Sequence, residues 1–217
     1  MSIAANIRTI TAALPPQVTL VAVSKTKPIE DILEAYTAGQ RIFGENKIQE
    51  MAAKHDALPK DIAWHMIGHV QSNKVKYMAP FVSLIHGVDS LKLLEEIDKQ
   101  AKKHGRTIDC LLQMHIAEEQ TKFGMDENEL LELLDSDTYK SLRNIQVKGL
   151  MGMATFTDNQ QQIKKEFNLL KSIFDRMASD HPDFEILSMG MSGDYSLAIE
   201  CGSNMVRIGS SIFGGRN

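Results

Sequence analysis

The chain has 217 residues, 43% of them hydrophobic and 24% charged, with a formal net charge of -4; this is the composition of an ordinary soluble globular protein with a sizeable core. The negative balance argues against a general nucleic-acid binder, which needs a concentrated basic surface, and Cys110 and Cys201 make neither a disulfide framework nor a metal-ligand spacing. The polar N-terminal stretch 1–17 lacks the apolar run of a signal peptide or a membrane span, so a reduced, cytoplasmic location without a membrane partner is expected.

In chain order, Ile3, Ile7, Ile10 and Leu14 follow helical spacing and predict a leading helix. After it, short apolar strands alternate with amphipathic helices. Strands are expected at 18–23, 41–44, 63–68, 83–88, 108–116, 147–152, 184–190 and 205–209, with helices near 28–39, 45–56, 71–79, 90–104, 126–135, 159–180 and 194–201. Strands separated by helices imply parallel pairing through right-handed crossovers. Eight such units without a compositional break predict one α/β domain over 1–217, a single (β/α)8 TIM barrel with an extra N-terminal helix. An open doubly wound sheet is the alternative, but the Gly-x-Gly-x-x-Gly turn that would follow its first strand is absent and VAVSKTKP stands there. His65 and His69 lack the glutamate of an HExxH motif and begin in a strand, so no metal site is expected. The acidic helix 126–135 and the run Lys164, Lys165, Glu166 read as solvated faces.

Strand alternation puts Val21, Val23 and Lys25 on one side and Leu20, Ala22 and Ser24 on the other. If the first set faces the barrel interior, Lys25 stands at the C-terminal mouth, where barrel enzymes place their chemistry. A desolvated lysine there can lose its proton and attack an aldehyde carbon; the plain alternative is a solvated loop lysine. Lys27 shares the parity, but Pro28 marks a helix start and takes Lys27 off the strand.

Barrels often bind phosphate after strands seven and eight. Those loops read Met189-Gly190-Met191-Ser192-Gly193-Asp194 and Arg207-Ile208-Gly209-Ser210-Ser211, rich in glycine and hydroxyls, and each precedes a helix start. Ser192 is either a donor to the anion or a helix N-cap. Arg207 shares the inward parity of Met205. It needs a partner there: a carboxylate on a neighbouring strand, or the pyridine nitrogen of a bound pyridoxal 5′-phosphate (PLP).

Six segments keep one order along nearly the whole chain: VAVSKTKP (21–28), AYTAGQRIFGENKIQE (35–50), WHMIGHVQSNK (64–74), KFGM (122–125), GLMGM (149–153) and MGMSGDYSLAIECGSNMVRIGSSIFG (189–214). Through them the sequence resembles the pyridoxal phosphate homeostasis protein family. The resemblance implies a barrel like the N-terminal domain of alanine racemase, with PLP held as a Schiff base on Lys25. It implies that Ser192 and the Gly209–Ser210 backbone hold the phosphate, that Arg207 faces the ring nitrogen and that Asn46 lies beside the cofactor, a helix N-cap being its other role. RIGS stands where the family commonly has RIGT, which keeps a hydroxyl, and Met114 and His115 depart from the usual pattern, so neither is assigned a contact.

An arginine at the ring nitrogen does not favour its protonation and weakens the ring as an electron sink. Racemisation on the related barrel needs a second base, a tyrosine from a further domain. The few residues after Arg207 leave no room for one, and Tyr36, Tyr77, Tyr139 and Tyr195 have no context placing them opposite Lys25. The expected function is PLP binding in intracellular vitamin B6 homeostasis with little or no turnover. The protein would act as a monomer with PLP-dependent apo-enzymes as recipients. The alternatives are a low-activity amino-acid racemase using Lys25 alone and a PLP-free Schiff-base lyase.

Overall fold

Eight parallel strands close on one another in sequence order: β1 (Thr19–Val23), β2 (Ile42–Glu45), β3 (Ala63–Met66), β4 (Leu84–Val88), β5 (Ile108–Met114), β6 (Ile145–Gly152), β7 (Ile186–Met191) and β8 (Met205–Ile208). Closure is made by β1 against β8, with Val21 opposite Arg207 and Ala22 opposite Ile208. The computed structural model describes residues 2–119 and 123–215; Lys122 of the KFGM segment lies outside them. The expected α/β barrel is the observed fold.

Helices fill the crossovers. The leading helix α1 (Ile3–Ala13) is capped by Ser2 and held to the C-terminal end of the chain by Asn6, whose amide donates to the Ile212 carbonyl at 2.9 Å. Next come α2 (Ile29–Thr37), α3 (Ile48–Ala57), a 3-10 turn at Ser72–Lys74 running into α4 (Val75–Met78), and α5 (Leu91–Lys103). The second half carries α6 (Glu127–Asp135), α7 (Asp137–Ser141), α8 (Gln160–Asp180), α9 (Tyr195–Glu200) and α10 (Ser210–Phe213). Two short helices, α7 and α10, are additions to the sequence reading: each is a single turn and too short to show a period. Helix α3 begins at Ile48 rather than 45, because the Glu45 carboxylate is buried at the end of β2 and keeps that segment extended.

The alternation along each strand divides the core in two. Val21, Leu84, Leu111, Met151 and Met205 meet inside the barrel, while Leu20, Ala22, Phe43, Trp64, Ile85, Leu112, Val206 and Ile208 pack outward under the helices. This is the inside–outside split that places Lys25 and Arg207 on the interior side. Gly149 lets β6 press onto β7: it adopts φ +145°, and a Cβ there would stand 1.9 Å from the Ile186 carbonyl oxygen.

One expectation for the helix surfaces is corrected. Helix α6 does present acids to solvent, with a capping box between Asp126 and Glu129. Glu166, however, is buried. It sits on the inward stripe of α8 with Ile163, Phe167 and Leu170, and the Thr155 N–H (2.6 Å) and hydroxyl (2.7 Å) and the Glu118 N–H (3.2 Å) all donate to it. It ties the β5–α6 loop to the β6–α8 loop.

Candidate functional site

The C-terminal mouth of the barrel opens into a cavity of about 660 Å³ whose wall contains Lys25, Asn46, Ser192, Arg207, Gly209 and Ser210. All six residues singled out in the sequence therefore meet in one place, although they come from the ends of four different strands, β1, β2, β7 and β8. The volume lies within the usual range for a small-molecule site.

Lys25 stands just past the end of β1, two residues beyond Val23, which also faces the cavity. It occupies the second position of a tight turn closed by the Lys27 N–H donating to the Ser24 carbonyl at 3.0 Å. The next residue, Thr26, has φ 63°, the conformation that usually calls for glycine at the third position of such a turn. Lys27 also lines the cavity, but its ammonium donates to the carbonyls of Phe213 and Gly215, 3.0 Å each, and so secures the C-terminal segment.

Around the turn lies a buried ionic cluster that sequence reading did not find. Lys54 of α3 is almost fully buried and donates to the Ser24 carbonyl, Glu45 Oε1 and Glu50 Oε1, each at 2.7 Å. Ser24 Oγ donates to Glu45 Oε1 at 2.6 Å, and the Thr26 N–H donates to Glu50 Oε1 at 2.6 Å. Burial raises the Glu45 carboxyl above its ordinary range, opposed by the hydrogen bonds from Lys54 and Ser24. A sequence signal did exist: Lys54 continues the buried stripe of Ile48 and Met51.

The two glycine-rich loops are stitched together. Ser192 Oγ accepts from the Gly209 N–H at 3.1 Å. The N-cap position of α9 belongs to Asp194, and Asp194 Oδ1 accepts from the Met191 N–H at 2.6 Å, so the N-cap reading of Ser192 is set aside. Gly209 also lies close to Val23, where an added Cβ would come within 3.2 Å of a carbonyl oxygen. Beyond it, the first turn of α10 directs the N–H groups of Ser210 and Ser211 away from any intrahelical acceptor. Both α9 and α10 are very short, so the donors available here are individual N–H and hydroxyl groups rather than a long helix dipole. Asn46 is likewise no N-cap, since Lys47 holds that position on α3. Its backbone packs on Gly68, where a Cβ would fall 2.5 Å from the Asn46 carbonyl oxygen.

Arg207 is buried. Its Nη1 donates to the Ser188 carbonyl (3.0 Å) and hydroxyl (2.6 Å), and its Nη2 to the Gly152 carbonyl (3.1 Å). Neutral oxygens, not a strand carboxylate, thus take three of the five guanidinium N–H donors. Burial lowers its pKa to about 10, with Asp194 opposing the shift. Behind it a polar chain crosses the barrel interior: Ser188 Oγ lies 3.0 Å from His86 Nδ1, and His86 Nε2 lies 3.0 Å from His65 Nδ1. Burial pushes His65 down to about 3. Burial, then the charges of His65 and Arg207, holds His86 well below the ordinary histidine range. Both rings are neutral at physiological pH. His65 and His69 part company here, because His69 lies on the cavity wall, stacked on Phe123 with ring centroids 4.0 Å apart and 3.4 Å from Asp89. Met114 is buried, and His115 bonds the Glu119 carbonyl at 2.9 Å.

The comparisons with known proteins agree with this architecture. The family model described as alanine racemase, N-terminal domain, matches residues 1–217. The pyridoxal phosphate homeostasis protein of Vibrio alginolyticus is 40% identical over 209 residues, 94% of this chain and 88% of that protein. Its namesake from Aquifex aeolicus is 39% identical over 199 residues, 91% of this chain and 86% of that one. PipY of Synechococcus elongatus PCC7942, solved with PLP bound, superposes with a TM-score of 0.89 at 36% identity, covering 98% of this chain and 100% of that one. Alanine racemase from E. faecalis shares the barrel alone, with a TM-score of 0.76 at 15% identity over 99% of this chain and 58% of that one. No helix among the described residues is long and apolar enough to cross a membrane. With four-tenths of its residues matched along almost its full length, the chain belongs to the pyridoxal phosphate homeostasis protein family, a branch of the alanine racemase N-terminal barrels.

Proposed function

We propose that this protein binds pyridoxal 5′-phosphate at the barrel mouth, with Lys25 as its anchor, and serves PLP homeostasis as a carrier with little or no turnover. The observation that carries this reading is the convergence of Lys25, the Ser192–Gly209 stitch and Arg207 on one cavity. The donor set fits the group: an amine for an aldehyde, hydroxyls and backbone N–H groups for a phosphate, and a buried guanidinium for a ring nitrogen. PLP, when bound, supplies an aldehyde that condenses with a lysine amine and a ring that can accept electrons. A relative covering the same chain length has been solved with PLP bound, which supports the assignment.

In this reading Lys25 presents its amine from a turn fixed on both sides. Ser192 and the Ser210 backbone receive the phosphate, while Gly209 brings β8 close to β1 so that the donors and Lys25 face one ligand. Arg207 is held by Ser188 and Gly152 and offers its remaining N–H donors to the ring nitrogen. A cation there leaves that nitrogen unprotonated, which suits holding more than carbanion chemistry. None of the tyrosines lies among the residues lining the cavity, so the second base that racemisation requires is not supplied by a tyrosine of the described residues. We read the chain as a single PLP-binding domain acting as a cytoplasmic monomer, with PLP-dependent apo-enzymes as recipients.

The test is a titration of purified protein with PLP. A visible absorption band should develop, and borohydride should fix the cofactor on Lys25, located by peptide mass mapping. A protein that stays colourless, or a Lys25→Ala variant that yields the same band and the same fixed adduct, refutes the assignment. Multiple-turnover exchange of an amino acid α-hydrogen in deuterated buffer would overturn the carrier reading and favour the racemase.

A further inference from the structure

Two charged side chains close on the peptide units either side of Lys25, a third braces them, and none of the three is among the residues lining the cavity. The carbonyl of Ser24, in the peptide before Lys25, accepts from Lys54 Nζ at 2.7 Å. The N–H of Thr26, in the peptide after Lys25, donates to Glu50 Oε1 at 2.6 Å. Lys54 itself bonds that same Glu50 oxygen and Glu45 Oε1, and Glu45 takes the Ser24 hydroxyl as well. One ammonium and two carboxylates thus bracket a single residue. We propose that Lys54, with Glu45 and Glu50, is a positioning device for Lys25, locking the two peptide groups that flank it so that its amine meets the ligand from a fixed direction. The proposal rests on the assignment of Lys25 as the anchor.

The backbone shows why a lock is needed. Thr26 sits at φ 63°, a region a β-branched residue avoids, and such strain costs on the order of 1–3 kcal/mol and persists only where surrounding contacts enforce it. The enforcing contact is the Glu50 carboxylate on the Thr26 N–H, itself fixed by Lys54. A glycine at 26 would satisfy the turn without strain but would itself keep several other conformations accessible, loosening the turn that presents Lys25. The lock lies in the helical layer: Lys54 and Glu50 are one turn apart on α3, so α3 carries the alignment of the β1 turn. An ordinary surface ion pair would not do this, because exposed pairs are screened and mobile. Here Lys54 retains 8% of its side-chain exposure and Glu45 none.

The experiment compares Glu50→Ala, Glu50→Gln and the neutralised pair Lys54→Met/Glu45→Gln with the parent protein. Glu50 is a quarter exposed, so Glu50→Ala folds, and Glu50→Gln keeps an acceptor for the Thr26 N–H. Four quantities are read: the apo-protein melting temperature, amide hydrogen exchange at Thr26, and the affinities for PLP and for inorganic phosphate. A lost charge-assisted hydrogen bond predicts about tenfold weaker PLP binding in Glu50→Ala. Thr26 exchange should accelerate by a similar factor, phosphate affinity should hold at the parental level, and Glu50→Gln should recover most of the loss. Parental PLP affinity in Glu50→Ala, unchanged protection of Thr26, or equal losses for PLP and phosphate that follow the melting temperature would each overturn the proposal. If the parent protein itself gives no visible band with PLP, the cofactor assignment fails, and the exchange measurement alone still decides whether the cluster locks the turn. The double variant guards against a stranded buried carboxylate being mistaken for lost positioning.

Discussion

Acidification from pH 7 to pH 5 is expected to remove about 2 kcal/mol of folding stability through the buried His65, and the buried His86 acts in the same direction. In the unfolded chain each takes up a proton near its ordinary value of 6.5, whereas in the fold burial holds His65 at about 3 and His86 well below 6.5. A histidine whose pKa is depressed by folding binds fewer protons folded than unfolded. Its neutral form is therefore accommodated at no cost above 6.5, and stability falls as pH drops below 6.5 until the folded pKa is reached. For His65 this is about 1.4 kcal/mol per pH unit across that window, hence roughly 2 kcal/mol by pH 5, and His86 adds a loss of the same sign. Even the His65 share is a sizeable fraction of the 5–15 kcal/mol typical of a folded domain.

Other groups either act in another window or oppose the trend. Glu166, where burial is outweighed by the hydrogen bonds from Thr155, Gln162 and Glu118, has a lowered pKa, so its loss begins only below the ordinary glutamate range. Glu45 and Asp109, both raised by burial, relieve part of the loss as pH falls, because the fold prefers their neutral form. Urea denaturation at pH 7, 6 and 5, with m held common, measures the slope. His86→Gln, which keeps a side-chain acceptor but does not titrate, should reduce that slope even though it lowers stability at pH 7. A midpoint that does not move between pH 7 and 5, or a slope untouched by His86→Gln, refutes the neutral-pair account.

Three further outcomes are expected. Gly149→Ala should cost about 4 kcal/mol or prevent folding, since its Cβ would overlap the Ile186 carbonyl at a φ of +145°; denaturant midpoints or soluble yield report it. Ser192→Ala should strand the Gly209 N–H, lowering stability by about 1 kcal/mol, and calorimetry should show weaker inorganic phosphate binding. Glu166→Gln should lose about 2 kcal/mol, because the Thr155 and Glu118 donors no longer meet a charged acceptor. Hydrogen exchange should then rise together in 115–119 and 153–158.

What could be read from the sequence was what repeats or alternates locally. The strand parity of VAVSK and MVRIG places Lys25 and Arg207 inside the barrel, and the cavity contains both. Helix and strand limits fall within a few residues of their expected positions, apart from the single-turn α7 and α10. What stayed hidden was partner choice across long separations. Arg207 bonds Ser188 and Gly152, and Ser192 bonds Gly209, pairings that no period encodes. Lys54 and Glu166 were hidden for a different reason. Both stand on the buried stripe of an amphipathic helix, at positions where a charge reads as a break in the pattern until its partners from another loop are known.

The polar layer inside the barrel follows from one demand at the mouth. Barrel interiors are ordinarily filled by branched apolar side chains, and here Val21, Leu84, Leu111, Met151 and Met205 fill part of it. Placing Arg207 on the same interior side buries a guanidinium, whose donors must be met by oxygens that stay in place. Ser188 meets two with its carbonyl and hydroxyl oxygens. With Arg207 donating to that hydroxyl oxygen, the hydroxyl hydrogen can point at His86 Nδ1, which leaves His86 Nε2–H to donate to His65 Nδ1. Each group is satisfied by the next, across β8, β7, β4 and β3, until the chain ends on a neutral imidazole, which costs far less to bury than a charge. The same chain that makes the interior acid-sensitive is therefore what allows a cation to stand fixed beneath the cavity.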